Sequence, residues 1–365
     1  MVKTLTRDKD TFVIDLEQEY IAISTAGCPK IYSEIRYIVF RRVPKDFGYV
    51  DLDSYCRDIA SSIGIDYSKS SIFLTAVDVS SCSHGFSIHK NIKAEAFVTL
   101  GIDTPSCIGT EGPQSSRRIS TINVAVVVDK PLNNVGLLDL FRTVSEVKGM
   151  VMGLGGPMCI SSPSIGTASD ATLVAAPAGD ERFAGISTDV GIASSMAVIC
   201  ALARHIRNIS REEYIAKTLG FDRIDNIIGI AKEVYTKARI PHIDDSDIEK
   251  EVREEMSRVL RDPNIPLFIK GMRLLEAALS INILPGISIH EYKSDSPGII
   301  VDELVGKALA EYINGFKGLL MYYWIERLKE RGETPILKLL PPIADDIVAA
   351  LIGGILSKIY DRYSR

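Results

Sequence analysis

"STINVAVVVDK", Ser120 to Lys130, decides how the first half of this chain is read. A dense run of β-branched residues follows Ser120, Thr121 and Asn123 and stops at Asp129, which is the signature of a buried strand. Working outward, "VGLLDLFRTVSEVKGMVMGL" (135–154) has apolar residues at helical spacing. "SPSIGTASDATLVAAP" (162–177) is a small polar loop leading into another strand. Further strand-like runs are "YIAIS" (20–24), "IRYIVFRRV" (35–43), "SIFLTAVDV" (71–79) and "AEAFVTLGI" (94–102). Helical periodicity returns in "LDSYCRDIASSIG" (52–64) and "TDVGIASSMAVICALARHIRNI" (188–209). The spacing predicts a mixed α/β region over residues 1–210.

After about residue 211 the character changes. The pattern predicts only helices: "DSDIEKEVREEMSRVLRDP", with Ser246 and Glu249 as a capping box, then "PLFIKGMRLLEAALSI", "IIVDELVGKALAEYI", "NGFKGLLMYYWIERLKERG" and "ADDIVAALIGGILSKIYDRY". A chain of 365 residues favours two domains. The expected fold class is therefore an N-terminal mixed α/β domain (1–210) and a C-terminal all-α helical bundle (220–365).

With 46% apolar and 24% charged residues the composition is that of a globular protein rather than a disordered or collagenous one. A net charge of −5 gives no basic face for nucleic acid. "IVAALIGGIL" and "GLLMYYWI" are about half the length that crosses a bilayer. No apolar leader opens the chain, so no membrane span and a cytoplasmic setting are expected. The six cysteines show no CxxC and no regular spacing, so reduced thiols are expected.

Two acidic pairs head apolar helices: Asp302 and Glu303, then Asp345 and Asp346. Asp302 lies three before Val305 and seven before Leu309, on the buried stripe. Asp345 stands in the same relation to Val348 and Ile352, and Glu326 follows Tyr323 by three. One such acid reads as an N-cap. Several inward carboxylates repel one another unless a cation or protons compensate. Carboxylate oxygens suit Mg²⁺, and a metal so held polarises a phosphoryl group. Lys329, one turn after Glu326, could meet a phosphate oxygen or simply pair with an acid.

In order and spacing these stretches resemble the phosphatidylglycerophosphatase A-like family. The resemblance runs over 224–365 through Asp295, Asp302-Glu303, Glu326 with Lys329, and Asp345-Asp346 with Gly353-Gly354. Glu326 stands where that family usually has Asp, and the Pro that commonly follows the Lys is absent. The resemblance implies an all-helical domain in which Asp302, Glu303, Asp345 and Asp346 hold Mg²⁺ or another divalent cation. Glu326 would be a ligand or base, and Lys329 and Asp295 would contact substrate. The short apolar runs favour the soluble branch similar to α-ribazole-phosphate phosphatase over the membrane lipid phosphatase.

In the first half, the Gly-Thr-Ser-Asp loop is either an anion cradle built from backbone N–H groups or a plain turn. His84 and His89, five apart and with no third partner, are weak evidence for a metal. Three stretches in order resemble adenosylcobinamide amidohydrolase: Ser120-Thr121-Ile122-Asn123, Ser145-Glu146-Val147-Lys148, and Ser164 through Asp170. Ser120 replaces the family's Gly. The resemblance implies hydrolysis of the amide joining aminopropanol to the corrin ring, with no cofactor identified for this half. The candidate catalytic residues are Glu146 and Asp170, ranked first as acid and base, with Lys148, Thr167, Ser169 and Asn123. Thr121 and Gly166 are candidate substrate contacts. Together the halves imply a bifunctional corrinoid-salvage hydrolase acting on two small molecules, adenosylcobinamide and α-ribazole 5′-phosphate, and compatible with a homo-oligomer. The alternative is a corrinoid-binding module fused to a phosphatase for another phosphomonoester, such as phosphatidylglycerophosphate.

Overall fold

The computed structural model describes residues 2–363 except 27, 29–30, 49–50, 110–119, 240–242, 245 and 295–297. The chain divides into two compact units. One comprises 1–106, 110–156 and 164–208; the other comprises 107–109, 157–163 and 209–365.

The first unit is built on one sheet. Its strands are β1 (Lys3–Arg7), β2 (Thr11–Ser24), β3 (Tyr32–Arg42), β4 (Ser70–Thr75), β5 (Ser83–His89), β6 (Ile92–Leu100), β7 (Ile122–Val128) and β8 (Ala171–Ala176). Their order is β4-β3-β2-β8-β7-β6-β5, with β1 pairing on β2. The β3/β4 and β7/β8 pairs are parallel; the other pairings are antiparallel. Helix α1 (Leu52–Ser62) precedes β4, α2 (Asn134–Gly155) joins β7 to β8, and α3 (Asp189–Arg207) follows β8.

Every residue of β7 and β8 is buried, as expected of central strands. Alternate residues serve two cores. Val124, Val126, Val174 and Ala176 pack under α2 and α3. Ala125, Val127, Leu173 and Ala175 face Phe12, Phe40, Phe73 and Phe97. β2 carries a bulge between Asp15 and Tyr20, where Glu17 takes φ 63°. The sheet curls, and strands that are not neighbours meet. Ser24 Oγ lies 3.1 Å from Ser71 Oγ, and Asn123 Nδ2 donates to Leu74 O at 3.3 Å.

Sequence periodicity found α1, α2, α3 and the middle of the sheet. It did not find β1, β5 or the first nine residues of β2. β5 is "SHGFSIH", whose Gly and two His lack a strand's composition. The strand forms because Gly85 lets α3 approach: a Cβ there would run into the carbonyl of Ala197. α3 is also the one helix among the described residues long and apolar enough to cross a membrane, and half of that stretch is buried within the protein.

Four of the six expected reduced thiols are instead paired, as Cys28–Cys56 and Cys107–Cys159, with Cα atoms 6.4 and 5.8 Å apart. The partners are 28 and 52 residues apart and come together only through the fold, which irregular spacing does not reveal. Cys82 is buried and Cys200 exposed, both free.

Helices dominate from residue 211 on: α4 (Arg211–Thr218), α5 (Ile224–Lys237), α6 (Ile248–Val259), α7 (Asn264–Ser280), α8 (Ile289–Lys293), α9 (Val301–Glu330) and α10 (Pro342–Tyr363). α6 begins at Ile248 with Asp247 as N-cap and no side-chain capping bond, so the expected Ser246–Glu249 box does not form. α9 is kinked at Asn314 and Gly315, the latter at φ 55°, where the sequence pattern divided it in two. α10 is buried on all sides from Ile343 to Ser357, so it is the central helix of its unit.

Two glycines let α9 lie close against α10. A Cβ on Gly353 would stand 2.9 Å from the backbone nitrogen of Tyr322, and one on Gly354 2.5 Å from Ile313. Gly353→Ala therefore overpacks a contact whose other side is backbone. The substitution should destabilise the protein by about 1–3 kcal/mol. Urea unfolding checks this, and an unchanged midpoint would show that the helices part freely.

Candidate functional site

In the first unit, the loop before β8 is fastened by one carboxylate. Asp170 Oδ1 accepts from Ile122 N at 3.0 Å and from Thr167 Oγ1 at 2.5 Å. Its Oδ2 accepts from Lys148 Nζ at 2.6 Å, an ion pair largely shielded from water. A Cβ on Gly166 would collide with that carboxylate, so the loop needs glycine there. The polar loop is thus neither a bare turn nor an open anion cradle, because Asp170 already fills its centre.

Beside this anchor lies a pocket of about 230 Å³, lined by Thr25, Ala26, Val43, Pro44, Phe47, Leu74, Thr75, Ala76, Thr121, Asn123, Ser169 and Ala171. Thr121 Oγ1 and Ser169 Oγ face each other at 2.6 Å, and Ser169 Oγ also donates to Ser120 O at 3.0 Å. Asn123 is 1% exposed and carries two N–H donors, one of them directed at Leu74 O. The pocket therefore brings two coupled hydroxyls and an amide donor beside the apolar side chains of Val43, Pro44, Phe47 and Leu74. Thr25, Phe47, Leu74 and Thr75 came from no sequence motif, because they belong to strand ends and loops distant in sequence.

Glu146 does not join this group. It is exposed and pairs with Arg142 Nη1 at 3.0 Å, while Lys148, two positions on, turns to Asp170. Residues two apart on a helix point to different sides, so Glu146 and Lys148 do not share a site. His84 and His89 have separate partners, Glu95 at 2.7 Å and Asp189 at 3.3 Å.

In the second unit, Glu326, Asp345 and Asp346 each offer a carboxylate oxygen, and all three oxygens lie within 4.8 Å of one another. The Lys329 ammonium stands among them, 2.5 Å from Glu326, 2.9 Å from Asp345 and 3.5 Å from Asp346. Burial opposes that charge, but Asp345 and Glu326 outweigh it and hold the lysine above its ordinary pKa. Glu326 Oε1 is buried without a hydrogen-bond partner. Burial pushes Asp345 up to about 9 and Glu326 to about 7, and Asp346 also rises.

Asp302 is 6% exposed and is raised to about 6 by burial and by its neighbour Glu303; its charge also raises Asp346. Glu303 is exposed, so Glu326 rather than Glu303 completes the close trio. Asp295 lies outside the described residues. Sequence reasoning missed Glu276, whose buried carboxylate accepts from Ile343 N at 2.8 Å, Ala344 N at 3.4 Å and Tyr292 Oη at 2.5 Å, and pairs with Arg273. It sits mid-helix in α7, in a pattern that gives no sign of the helix it caps.

Residues 1–213 match the family described as adenosylcobinamide amidohydrolase. An uncharacterized protein of Methanocaldococcus jannaschii is 26% identical over 116 residues, 31% of this chain and 87% of the relative. The crystal structure of protein ypjQ from Bacillus subtilis aligns with 43% of this chain and 98% of its own, at 22% identity and a TM-score of 0.33.

The acid trio makes stability depend on pH. With no metal added, the folded chain holds protons on Asp345 up to about pH 9, whereas the unfolded carboxyl loses them near 3.8. The folded state binds more protons across that window, so this contribution is full below about pH 4 and is lost as pH rises toward 9. In EDTA the wild-type urea midpoint should fall between about pH 6 and pH 9 more steeply than that of Asp345→Asn. Parallel slopes would mean that Asp345 does not titrate in this window.

Proposed function

The chain belongs to the adenosylcobinamide amidohydrolase family, and on that premise we propose that its first unit hydrolyses the amide joining aminopropanol to the corrin ring of adenosylcobinamide, giving adenosylcobyric acid. The observation that carries this reading is the hydroxyl pair of Thr121 and Ser169, which lines a pocket within the family-matched residues. In the reaction water adds to the amide carbon, the C–N bond breaks and the amine leaves with a proton. Thr121 and Ser169 orient the attacking oxygen and relay its proton through their mutual hydrogen bond. Asn123 donates an N–H toward the developing oxyanion. Lys148 and Asp170 act as positioning residues, holding the loop that presents Ser169.

Ser169→Ala should lower kcat/KM for adenosylcobinamide by at least about a hundredfold, with adenosylcobyric acid followed by chromatography. Glu146→Gln should leave the rate nearly unchanged. Tight cobinamide binding by the wild type without any acid formed would make the unit a corrinoid-binding module instead.

A second reading concerns the helical unit, where the orphaned Glu326 oxygen beside Asp345 and Asp346 supports a metal-dependent phosphomonoesterase. Three clustered carboxyl groups that keep protons when no cation is bound are oxygen ligands that would suit a hard divalent cation such as Mg²⁺. When bound, that cation would polarise the phosphoryl group and activate water. Asp345, Asp346 and Glu326 would hold it, with Asp302 behind them. Lys329, released from its carboxylates, would meet a phosphate oxygen. We propose α-ribazole 5′-phosphate as the substrate. Phosphate release from it should need Mg²⁺, stop in EDTA, and fall at least about a hundredfold in Asp345→Asn. Release from phosphatidylglycerophosphate alone would reassign the substrate, and none from either would remove the phosphatase reading.

A further inference from the structure

Residues 157–163 form neither helix nor strand, yet two of their carbonyls hold a buried arginine of the same compact unit. Arg273 Nη2 donates to Cys159 O at 2.8 Å and to Ile160 O at 3.0 Å. Its Nε donates to Thr218 O at 3.1 Å, and its Nη1 pairs with Glu276. Glu276 in turn accepts from the amides of Ile343 and Ala344, directly before Asp345 and Asp346. Burial pushes Arg273 down to about 10, so its charge depends on these acceptors.

The segment is held in part covalently. Backbone bonds fasten its two ends, Met158 N to Lys217 O and Ile108 N to Pro163 O, both at 3.0 Å. Between them Cys159 is joined to Cys107. A short irregular segment opens more easily than a helix or strand, and a cross-link within it limits the positions its carbonyls can take. Cys159 is buried and Cys107 only partly so, which lets a reductant meet the bond from the Cys107 side.

We infer that the Cys107–Cys159 disulfide is a redox-modification site that controls the start of α10, and that its chemical partner is a dithiol reductant. One thiolate of the dithiol attacks Cys107 Sγ, the S–S bond breaks, and Cys159 leaves as a thiolate that takes a proton. The reductant's second thiol then attacks the mixed disulfide, releases Cys107 as a thiol and closes the reductant's own disulfide. Two electrons and two protons pass to the protein. Reduction lets residues 157–163 turn their carbonyls away from Arg273. Glu276 then loses the fixed guanidinium beside it, and the helix start that carries Asp345 and Asp346 loosens. The effect on a bound cation rests on the phosphomonoesterase reading; the loosening itself does not.

The test follows amide hydrogen exchange on the full chain before and after dithiothreitol, with the state of each cysteine read by alkylation and mass spectrometry. Exchange at Ile343 and Ala344 should rise at least about tenfold on reduction, while β7 keeps its protection. Cys107→Ser combined with Cys159→Ser should show the raised exchange without reductant, and Cys28→Ser combined with Cys56→Ser should keep the response. Should the first pair not fold, the reduced wild type carries the same comparison. Mg²⁺ affinity by calorimetry should fall at least about tenfold on reduction. Three results overturn the inference: unchanged exchange at 342–346 after confirmed reduction, an equal rise throughout the helical unit, or free Cys107 and Cys159 in protein purified without reductant. No Mg²⁺ binding in either state removes the metal reading and leaves the redox control, which the exchange decides.

Discussion

The Glu276 carboxylate is the point on which the helical unit turns. It is 2% exposed, far from the water a carboxylate prefers, and is held there by Arg273, Tyr292 and the first N–H groups of α10. Arg273 is itself 2% exposed, and its remaining donors go to the carbonyls of Thr218, Cys159 and Ile160. Burying such a pair is tolerable only because nearly every donor and acceptor is used. The result is an anchored helix N-terminus in the middle of a protein core. Asp345 and Asp346 follow within a turn, so the acid trio takes its place from a residue some seventy positions earlier.

The first unit solves a similar problem in a similar way. Asp170 gathers a strand N–H, a loop hydroxyl and a lysine, and so fixes the loop that brings Ser169 to Thr121. In each unit a shielded carboxylate positions backbone, and the neighbouring polar groups take their places from it. Asp170 therefore changes meaning between sequence and structure. As a letter in a Gly-Thr-Ser-Asp loop it resembles an acid or base; with its oxygens bonded to three donors it is a fastening.

What could be read in advance follows physical range. The run from Ile122 to Val128 is buried on both faces, and its composition announces that. The helix interruption at Asn314-Gly315 was legible because it is written in backbone preference. Asp302, Asp345 and Glu326 could be placed on inward stripes from helical spacing alone. The failures depend on contacts between segments distant in sequence. β5 is a strand because a helix presses on Gly85, Cys28 meets Cys56 across 28 residues of sequence, and Glu276 finds its helix across the core. The pocket walls are of the same kind, since five separate segments supply them. Glu146 is different: its direction followed from helix geometry and could have been read.

The same geometry bears on why two acidic pairs head two apolar helices. Helix capping would be the simplest reason, but the N-terminus of α10 already has its acceptor in Glu276, and Asp345 N bonds to Pro341 O. At α9 the N-cap is Ile300 with no side-chain capping bond, and Asp302 accepts from the adjacent Glu303 N at 3.1 Å. Asp345 and Asp346 are therefore buried at a helix start whose first N–H groups are already met by Glu276. Like charges at this separation, in a poorly solvated site, must take up protons or attract cations. Lys329 pairs with all three acids, and the charge of Asp302 raises Asp346 further. Where no cation is bound, protons supply that compensation: burial raises Asp345 to about 9 and Glu326 to about 7, so the trio keeps protons that an exposed carboxylate would have lost.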